Sequence, residues 1–403
     1  MQKLDRILNI VGLAGLFLFV ISMPFSPALS EAGFDIGLLV VIIKMISNRH
    51  IVLPPKVYNL ALVLFVVFVS TTIPFSMDPG LSVRKFGIVR WLAFPYVVLN
   101  LNIDSKTTKR LLYLLLSVSG VFSIFLIAQH FAGRAILPYK FDVFQTVDFA
   151  NRNLSDRIAL RFGQYYAMLF TFVVVYTYFN RQLKRIKHII IMAVSAIVSI
   201  TTTYLAYARS GAAGIWTSFV LFGILRARTI LYAAIILTLL GLAFIFLFPH
   251  TEAAELFYST IHPTRASGVR YGSNIARIHM IENTEQILKQ HPFVGIGFNC
   301  YGKWTSVYMP EDKGWERTFS DPLEFLATTG IIGFLGFLIL YMVIFYILLK
   351  AHDALSYAVF ATFIVFAGGG VFEPMFFNTV LLRGMMFLIS LSMAMSTFKQ
   401  SNP

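Results

Sequence analysis

The sequence is poor in charge and nearly free of cysteine. Only 13% of its 403 residues are charged, against about a quarter in soluble domains, and the single cysteine cannot form an internal disulfide. A soluble globular domain, a disordered chain and a disulfide scaffold are therefore excluded. The apolar residues, 57% of the chain, form long runs, whereas an outer-membrane barrel has short alternating segments. The composition predicts an all-α integral membrane protein.

Acidic side chains, which most metal sites of hard cations need, are also few. The chain has 19 Asp and Glu residues against 33 Lys and Arg, and it lacks zinc spacings, phosphate-binding glycine loops and nucleophile elbows. The sequence therefore predicts no metal and no cofactor. The net charge of +14 is explained by basic residues that anchor cytoplasmic loops, which favours membrane lipids over nucleic acid as the contact.

The apolar runs predict about twelve transmembrane helices. Basic residues concentrate in every second loop, most densely at 180–188, so these loops and both termini are predicted to be cytoplasmic. The first run is predicted to be an uncleaved span, and the short second and fourth spans could be tilted, broken or partly interfacial. The predicted spans are 8–28, 33–48, 57–75, 86–101, 110–131, 160–179, 187–205, 210–226, 229–248, 322–349, 354–373 and 378–397.

One long polar segment divides the chain on the opposite, periplasmic face. It separates a membrane bundle at 1–248, with about nine spans, from a bundle at 322–403 with about three, and all parts are expected to form one unit. Loops of the length of 249–321 are usually functional. The segment also contains apolar residues near helical spacing that end before Pro292, which predicts a helix: Ile275, Ile278, Ile281, Ile287 and Leu288.

Arginines at the outer ends of spans and in the long loop are the main candidate binding residues. A charge near membrane depth is costly, and a guanidinium binds phosphate through two parallel hydrogen bonds, so such residues can clamp a diphosphate. Alternatively, each side chain only extends to the interface or lies on a solvated helix face. Small residues follow Arg209 at 210–214, so a ligand or a helix could approach closely there. The candidates are Arg161, Arg209, Arg265, Arg270 and Arg277.

Four acidic or basic residues near the last three spans are further candidates. Glu373 and Arg383 are predicted to form a structural pair, although their spacing requires a break at Pro374 or different partners. Asp321 and Glu324 share one helix face at the start of span ten. Asp321 is predicted either to cap this helix or to act as a general base.

Four short stretches, in this order and spacing, resemble the O-antigen ligase/polymerase superfamily of bacterial envelopes. The first ends a span in an arginine followed by small residues, and the second begins the loop helix. The third is a proline–glycine turn, and the fourth opens the span after the long loop. The stretches are Leu205–Gly214, Ala276–Met280, His291–Phe298 and Leu323–Gly333.

The resemblance implies a GT-C-like fold and a metal-independent, inverting glycosyltransferase of the inner membrane. The implied donor is a glycan on undecaprenyl diphosphate, held by Arg209 and Arg277. The acceptor is lipid A-core in ligases, which the sequence slightly favours, or a growing lipid-linked glycan in polymerases.

Matching the glycines of the fourth stretch places Phe319 at the position of the family's histidine, the proposed base of ligases. Asp321, or after it Glu324, is then predicted to replace that histidine. Alternatively, the alignment is shifted, or the chemistry needs only a weak base. Two hypotheses of a different class stand beside glycosyl transfer: a transporter or flippase for lipid-linked polysaccharide, and an inactive relative of the family.

Overall fold

The computed structural model describes residues 2–48, 51–101, 103–132, 155–180, 186–205, 209–251, 258, 268–309 and 317–401. These residues form helices and connections, with no β-strand among them. The helices are α1 Gln2–Ser22, α2 Pro27–Asn48, α3 Lys56–Thr72, α4 Pro79–Phe86, α5 Phe94–Leu99, α6 Ser105–Ala132, α7 Ser155–Phe179, α8 Ile186–Leu205, α9 Arg209–Leu225, α10 Arg228–Leu247, α11 Gly268–Gln290, α12 Tyr301–Tyr308, α13 Asp321–Lys350, α14 Ala354–Gly370 and α15 Thr379–Ser401.

Several helices have the length and composition of membrane spans. Six described helices qualify, namely α1, α3, α6, α10, α13 and α15, and shorter apolar helices lie within α8, α9 and α14. The predicted all-α class is thus confirmed, and the helices fit a membrane protein. The twelve-span count and the GT-C-like arrangement stay predictions.

The fourth predicted span, 86–101, is not one helix but a 3-10 helix followed by a short α-helix. Helix α4 ends at Phe86, a 3-10 helix covers Gly87–Ala93, and α5 covers only Phe94–Leu99. Asp78 caps α4 by accepting a hydrogen bond from the Leu81 amide at 2.9 Å. The break leaves the charged helix α4 beside the connection from α3 and buries the apolar residues that follow it.

Helix α13 is also interrupted, at Gly330, where φ is 62° and ψ is −164°. The proline–glycine turn at 292–297 packs against this break. Its backbone pairs with the two halves of α13 through four hydrogen bonds: Ile331 N to Pro292 O (2.9 Å), Ile332 N to Phe293 O (3.2 Å), Ile296 N to Ala327 O (3.1 Å) and Gly297 N to Thr328 O (2.8 Å). The third and fourth stretches of the sequence resemblance are therefore two sides of one contact.

An aromatic cluster lies beneath this contact. The Phe325 ring centre is 5.2 Å from that of Phe376, 5.0 Å from that of Phe377 and 6.0 Å from that of Phe65. The aromatic residue that follows the turn, Phe298, joins the cluster at 6.3 Å from Phe325. The cluster therefore connects α3, the turn, the first half of α13 and the connection between α14 and α15.

Close packing of α9 on α14 explains the small residues after Arg209. A Cβ atom on Gly214 would lie 2.8 Å from the Val365 carbonyl oxygen, so at this position a helix approaches closely. On the other side, Gln164 of α7 donates a hydrogen bond to the Ser210 hydroxyl at 2.9 Å. These contacts fix the first turn of α9, which begins with Arg209.

We expect Gly330→Ala to destabilise the protein by about 1–3 kcal/mol, since this backbone conformation is restricted to glycine. The added Cβ would also lie 2.6 Å from the Val294 amide nitrogen. Thermal unfolding in detergent measures the change. Gly241→Ala is the matched control, because a Cβ on this helical glycine of α10 meets nothing within 4 Å and should leave the unfolding temperature equal or slightly higher. Equal unfolding temperatures for both variants would contradict the role given to Gly330.

Candidate active site

One of the predicted arginines contacts a carboxylate, and the charge of a second acts on the same carboxylate. Arg277 Nη2 of α11 lies 3.4 Å from Glu373 Oε1, and the charge of Arg209 at the start of α9 also acts on Glu373. Glu373 belongs to the connection 371–378 between α14 and α15. We call Arg209, Arg277 and Glu373 the arginine cluster. It brings together three segments that are far apart in the sequence.

The Glu373 carboxyl is poised to change its charge near neutral pH. Burial raises its pKa to about 7, although the positive charges of Arg277 and Arg209 act in the opposite direction. At pH 7 the carboxyl is thus divided between its charged and neutral forms. An anion that binds the two guanidinium groups would compete with the charged form.

Arg277 has a hydrogen-bond donor that no described residue uses. Its guanidinium carbon lies 5.3 Å from the centre of the Phe319 ring, which provides a cation–π contact. Its Nε is buried and has no hydrogen-bond partner among the described residues. Phe319, which matches the family's histidine position, thus contacts one of the two arginines that the resemblance assigns to the diphosphate.

The predicted Glu373–Arg383 pair is wrong. Arg383 is fully buried in α15, where Nη1 donates to the Pro27 carbonyl at 3.2 Å and the guanidinium lies 5.8 Å from the Trp91 ring centre. Because α14 ends at Gly370, the connection carries Glu373 towards α11 and away from Arg383. Arg383 therefore belongs to the packing between α15 and the start of α2.

Asp321 holds the connection 371–378 in place. Its two carboxylate oxygens lie 3.0 and 2.9 Å from the Phe376 amide, which donates to them. The residue is 1% exposed, and a Cβ on Gly370 would lie 2.6 Å from Oδ2. The capping role predicted for Asp321 is wrong, because Ser320 is the N-cap of α13 and accepts a hydrogen bond from the Leu323 amide.

Glu324 is buried one turn further into α13 and differs from Asp321 in its hydrogen bonds. Its Oε2 accepts a hydrogen bond from the Thr318 amide at 2.7 Å, whereas Oε1 has no partner among the described residues. The nearby Arg317 donates from Nη1 to the Phe377 carbonyl at 2.7 Å. Residues 317–320, which we call the strap, are thus held between α13 and the start of α15.

The other predicted arginines are only partly described. Arg265 lies outside the described residues. The backbones of Arg161 and Arg270 are helical, in α7 and α11, but their side chains also lie outside the description. Their proposed contacts with a diphosphate stay predictions. Within the described part of the chain, no group of three His, Cys, Asp or Glu side chains is arranged to hold a metal ion.

A comparison with known protein families finds a match for the middle of the chain. Residues 194–338 match a family model, Wzy_C, described as O-antigen ligase. This match supports the resemblance of the chain to the O-antigen ligase/polymerase superfamily. No curated protein matches it. Members of this superfamily are glycosyltransferase-like enzymes, and the family match together with the apolar helices points to a multi-pass protein of the inner membrane.

The matched range contains Arg209, Arg277 and the strap, but not Glu373. Sequence reasoning identified Glu373 and assigned it the wrong partner. It did not single out Arg317, which is one of several charges in the long loop. The available signal was the position of Arg317 two residues before Phe319, where the family's histidine is expected.

Proposed function

We propose that this O-antigen ligase/polymerase protein transfers a glycan from undecaprenyl diphosphate on the periplasmic face of the inner membrane. The observation that supports this most directly is the convergence of Arg209 and Arg277 on Glu373. One guanidinium group in contact with a largely buried carboxylate, and a second close enough for its charge to act there, form a site that a diphosphate can take over. In this proposal the long loop is periplasmic and both termini are cytoplasmic.

The proposed reaction is an inverting displacement without a metal. An acceptor hydroxyl attacks the anomeric carbon, its proton passes to a base, and the bond to the diphosphate breaks. Arg209 and Arg277 stabilise the negative charge that develops on the departing diphosphate. Their guanidinium forks suit two phosphates better than a lysine ammonium does.

Glu373 is proposed to hold the arginines until the donor arrives. The Glu373 carboxylate contacts Arg277, which would bind the diphosphate leaving group. Glu373 therefore lies on the leaving-group side of the anomeric carbon. The base must lie on the opposite side of the anomeric carbon, where the acceptor attacks. Glu373 is therefore a gate for the diphosphate, and the base has to be another group.

Glu324 is the better of the two predicted bases. The sequence favoured Asp321, but both oxygens of Asp321 accept a hydrogen bond from the Phe376 amide. Glu324 has no partner for Oε1 among the described residues. It contacts the strap, which contains Phe319, through the Thr318 amide. In this proposal the strap shifts when the acceptor binds, which exposes Oε1 to the attacking hydroxyl.

A ligase-like transfer to lipid A-core is proposed, in accord with the description of the matching family model. Polymerisation, in which a growing lipid-linked glycan is the acceptor, is the second candidate and is favoured by Phe319 in place of the ligase histidine. Purified protein with a lipid-linked glycan separates the two. Product on lipid A-core indicates a ligase, and a ladder without lipid A-core indicates a polymerase. Absence of transfer in both reactions would refute the proposal.

We expect Arg209→Ala and Arg277→Ala each to abolish transfer in this assay. Lysine at either position should restore little activity, because it lacks the planar fork. The control is Arg228→Ala, which removes an exposed arginine at the start of α10, beyond the far end of α9. Full activity of Arg209→Ala would show that this side chain only extends to the interface.

We expect Glu324→Gln to reduce the transfer rate by about 10²–10⁴-fold while the protein stays folded, since a positioned base contributes this much. Asp321→Asn should instead lower the unfolding temperature, because it weakens the anchor of the connection 371–378. Both variants are compared by transfer rate and thermal unfolding. An inactive Asp321→Asn with unchanged stability, beside an active Glu324→Gln, would return the base role to Asp321.

We expect the affinity for a diphosphate diester to fall as the pH rises through about 7, the pKa of Glu373. Below this pH the carboxyl is neutral and releases Arg277, whereas above it the carboxylate competes with the ligand, which itself stays charged. Glu373→Gln should bind tightly and almost independently of pH near neutrality. Titration calorimetry in detergent measures both. Glu285→Gln, which removes an exposed carboxylate of α11, is the control. An unchanged pH slope in Glu373→Gln would refute the gate.

A further inference from the structure

A second cationic region lies next to the arginine cluster. A cavity of about 400 Å³ lies between the first turn of α2, the end of α4, the strap and the start of α15. This volume is within the range of small-molecule sites. Four cationic residues and one carboxylate line the cavity: Arg84, Lys85, Arg90, Arg317 and Glu31.

The position of these charges runs against the usual distribution in membrane proteins. Arg84 and Lys85 lie between the third and fourth predicted spans, in a loop that the overall charge pattern places on the periplasmic face. Loops on that face normally carry few basic residues. Membrane topology therefore does not explain the basic residues of this loop. Binding of an anionic ligand would explain them.

The cationic side chains of this cavity differ in how far neighbouring carboxylates neutralise them. Arg90 is neutralised, because it lies 2.8 Å from Glu31 and 3.7 Å from Asp35. Arg84 and Lys85 are exposed at the end of α4. Arg317 donates from Nη1 to the Phe377 carbonyl, and its positive charge also acts on Glu324. The excess positive charge thus comes mainly from Arg84 and Lys85, to which Arg317 adds a cation that it shares with Glu324.

Buried aromatic residues and an anchored helix form the walls of the cavity. Trp91 and Phe377 are buried residues of the lining. Helix α4 is fixed at its start by the ion pair of Asp78 with Lys303, at 2.6 Å, and by the Met77 amide, which donates to the Ile296 carbonyl at 3.0 Å. A cavity with an anchored backbone and exposed cations at its edge suits a saccharide that carries a negative charge.

The strap connects this cavity to the arginine cluster. Arg317 lines the cavity, and Phe319, two residues later, contacts Arg277. Two residues span at most about 7 Å of backbone. The strap therefore contacts the cavity and the arginine cluster through residues that are only two positions apart.

We propose that this cavity binds a phosphate or carboxylate group of the acceptor glycan. The proposal rests on the proposed function for the identity of the acceptor. The donor diphosphate is assigned to Arg209 and Arg277, so the separate cations at Arg84, Lys85 and Arg317 serve the second substrate. Binding of the charged group positions a neighbouring hydroxyl of the acceptor at the strap.

The first experiment measures binding without requiring transfer. Glucose 6-phosphate, glucuronic acid and glucose are titrated onto the full-length protein in a neutral detergent, with tryptophan fluorescence as the signal because Trp91 lines the cavity. We expect saturable binding of one or both anionic sugars and none of glucose. The double variant Arg84→Gln/Lys85→Gln should weaken binding about tenfold, as expected for lost charge-assisted hydrogen bonds.

The control variant is Lys106→Gln/Arg110→Gln, which removes two exposed cations at the start of α6 and should bind like the wild type. A parallel titration with phosphatidylglycerol in the micelle tests the lipid as the source of the anionic group. Displacement of the sugar phosphate only by the lipid would make the cavity a lipid site and overturn the proposal. Equal binding by the Arg84→Gln/Lys85→Gln variant and the wild type would also overturn it.

The second experiment uses the transfer assay with an acceptor before and after enzymatic removal of its phosphates. Wild-type kcat/KM should fall about tenfold with the dephosphorylated acceptor, to the value of the Arg84→Gln/Lys85→Gln variant with either acceptor. If the cavity binds anionic sugars but no transfer occurs, the proposed function fails and the site stands. If transfer occurs without dependence on acceptor charge in either protein, the site has no role for the acceptor.

Discussion

The backbone hydrogen bonds between the turn 292–297 and the break in α13 are the contact on which the candidate site depends. A broken helix at membrane depth leaves amides and carbonyls without partners, and each costs several kcal/mol in an apolar environment. The turn supplies these partners on both sides of Gly330. It can do so because Gly330 and Gly295 have positive φ and no side chain to separate the two backbones. The first half of α13 thereby becomes a separate short helix, which carries Asp321, Glu324 and the strap.

The same contact links the two proposed binding regions. Ile296, in the middle of the turn, also accepts a hydrogen bond from the Met77 amide, so the turn positions α4 and its basic end. The aromatic cluster around Phe325 then ties the short helix to the connection 371–378, where Asp321 holds Phe376 and Glu373 reaches Arg277. One rearrangement at the turn would therefore move the cationic cavity, the strap and the arginine cluster together.

What could be predicted from the sequence is what depends on local composition. Long apolar runs give apolar helices, and the isoleucine spacing before Pro292 coincides with α11, which ends at Gln290. Arg209 and Arg277 were candidates because of their position and phosphate-binding chemistry, and the resemblance singled them out. The partners of these residues depend on contacts between distant segments, which spacing cannot reveal. Glu373 was assigned to Arg383 because both lie near the last predicted span, whereas α14 ends at Gly370 and turns Glu373 towards α11. Likewise, no local signal placed Arg84 beside Arg317.

At the position that the sequence resemblance gives to the family's histidine, this chain has Phe319, which contacts Arg277. A histidine there would lie against Arg277, whose positive charge would favour the neutral ring and so preserve a base. Phenylalanine keeps the contact, since its ring faces the guanidinium at 5.3 Å, but it cannot accept a proton. Arg277 is then oriented by Phe319, which does not titrate. Of its two contacts, Phe319 and Glu373, only Glu373 can change its charge with pH. Under the proposed function, proton transfer falls to a different side of the strap, where Glu324 has an oxygen with no partner among the described residues and Arg317 lines the cationic cavity.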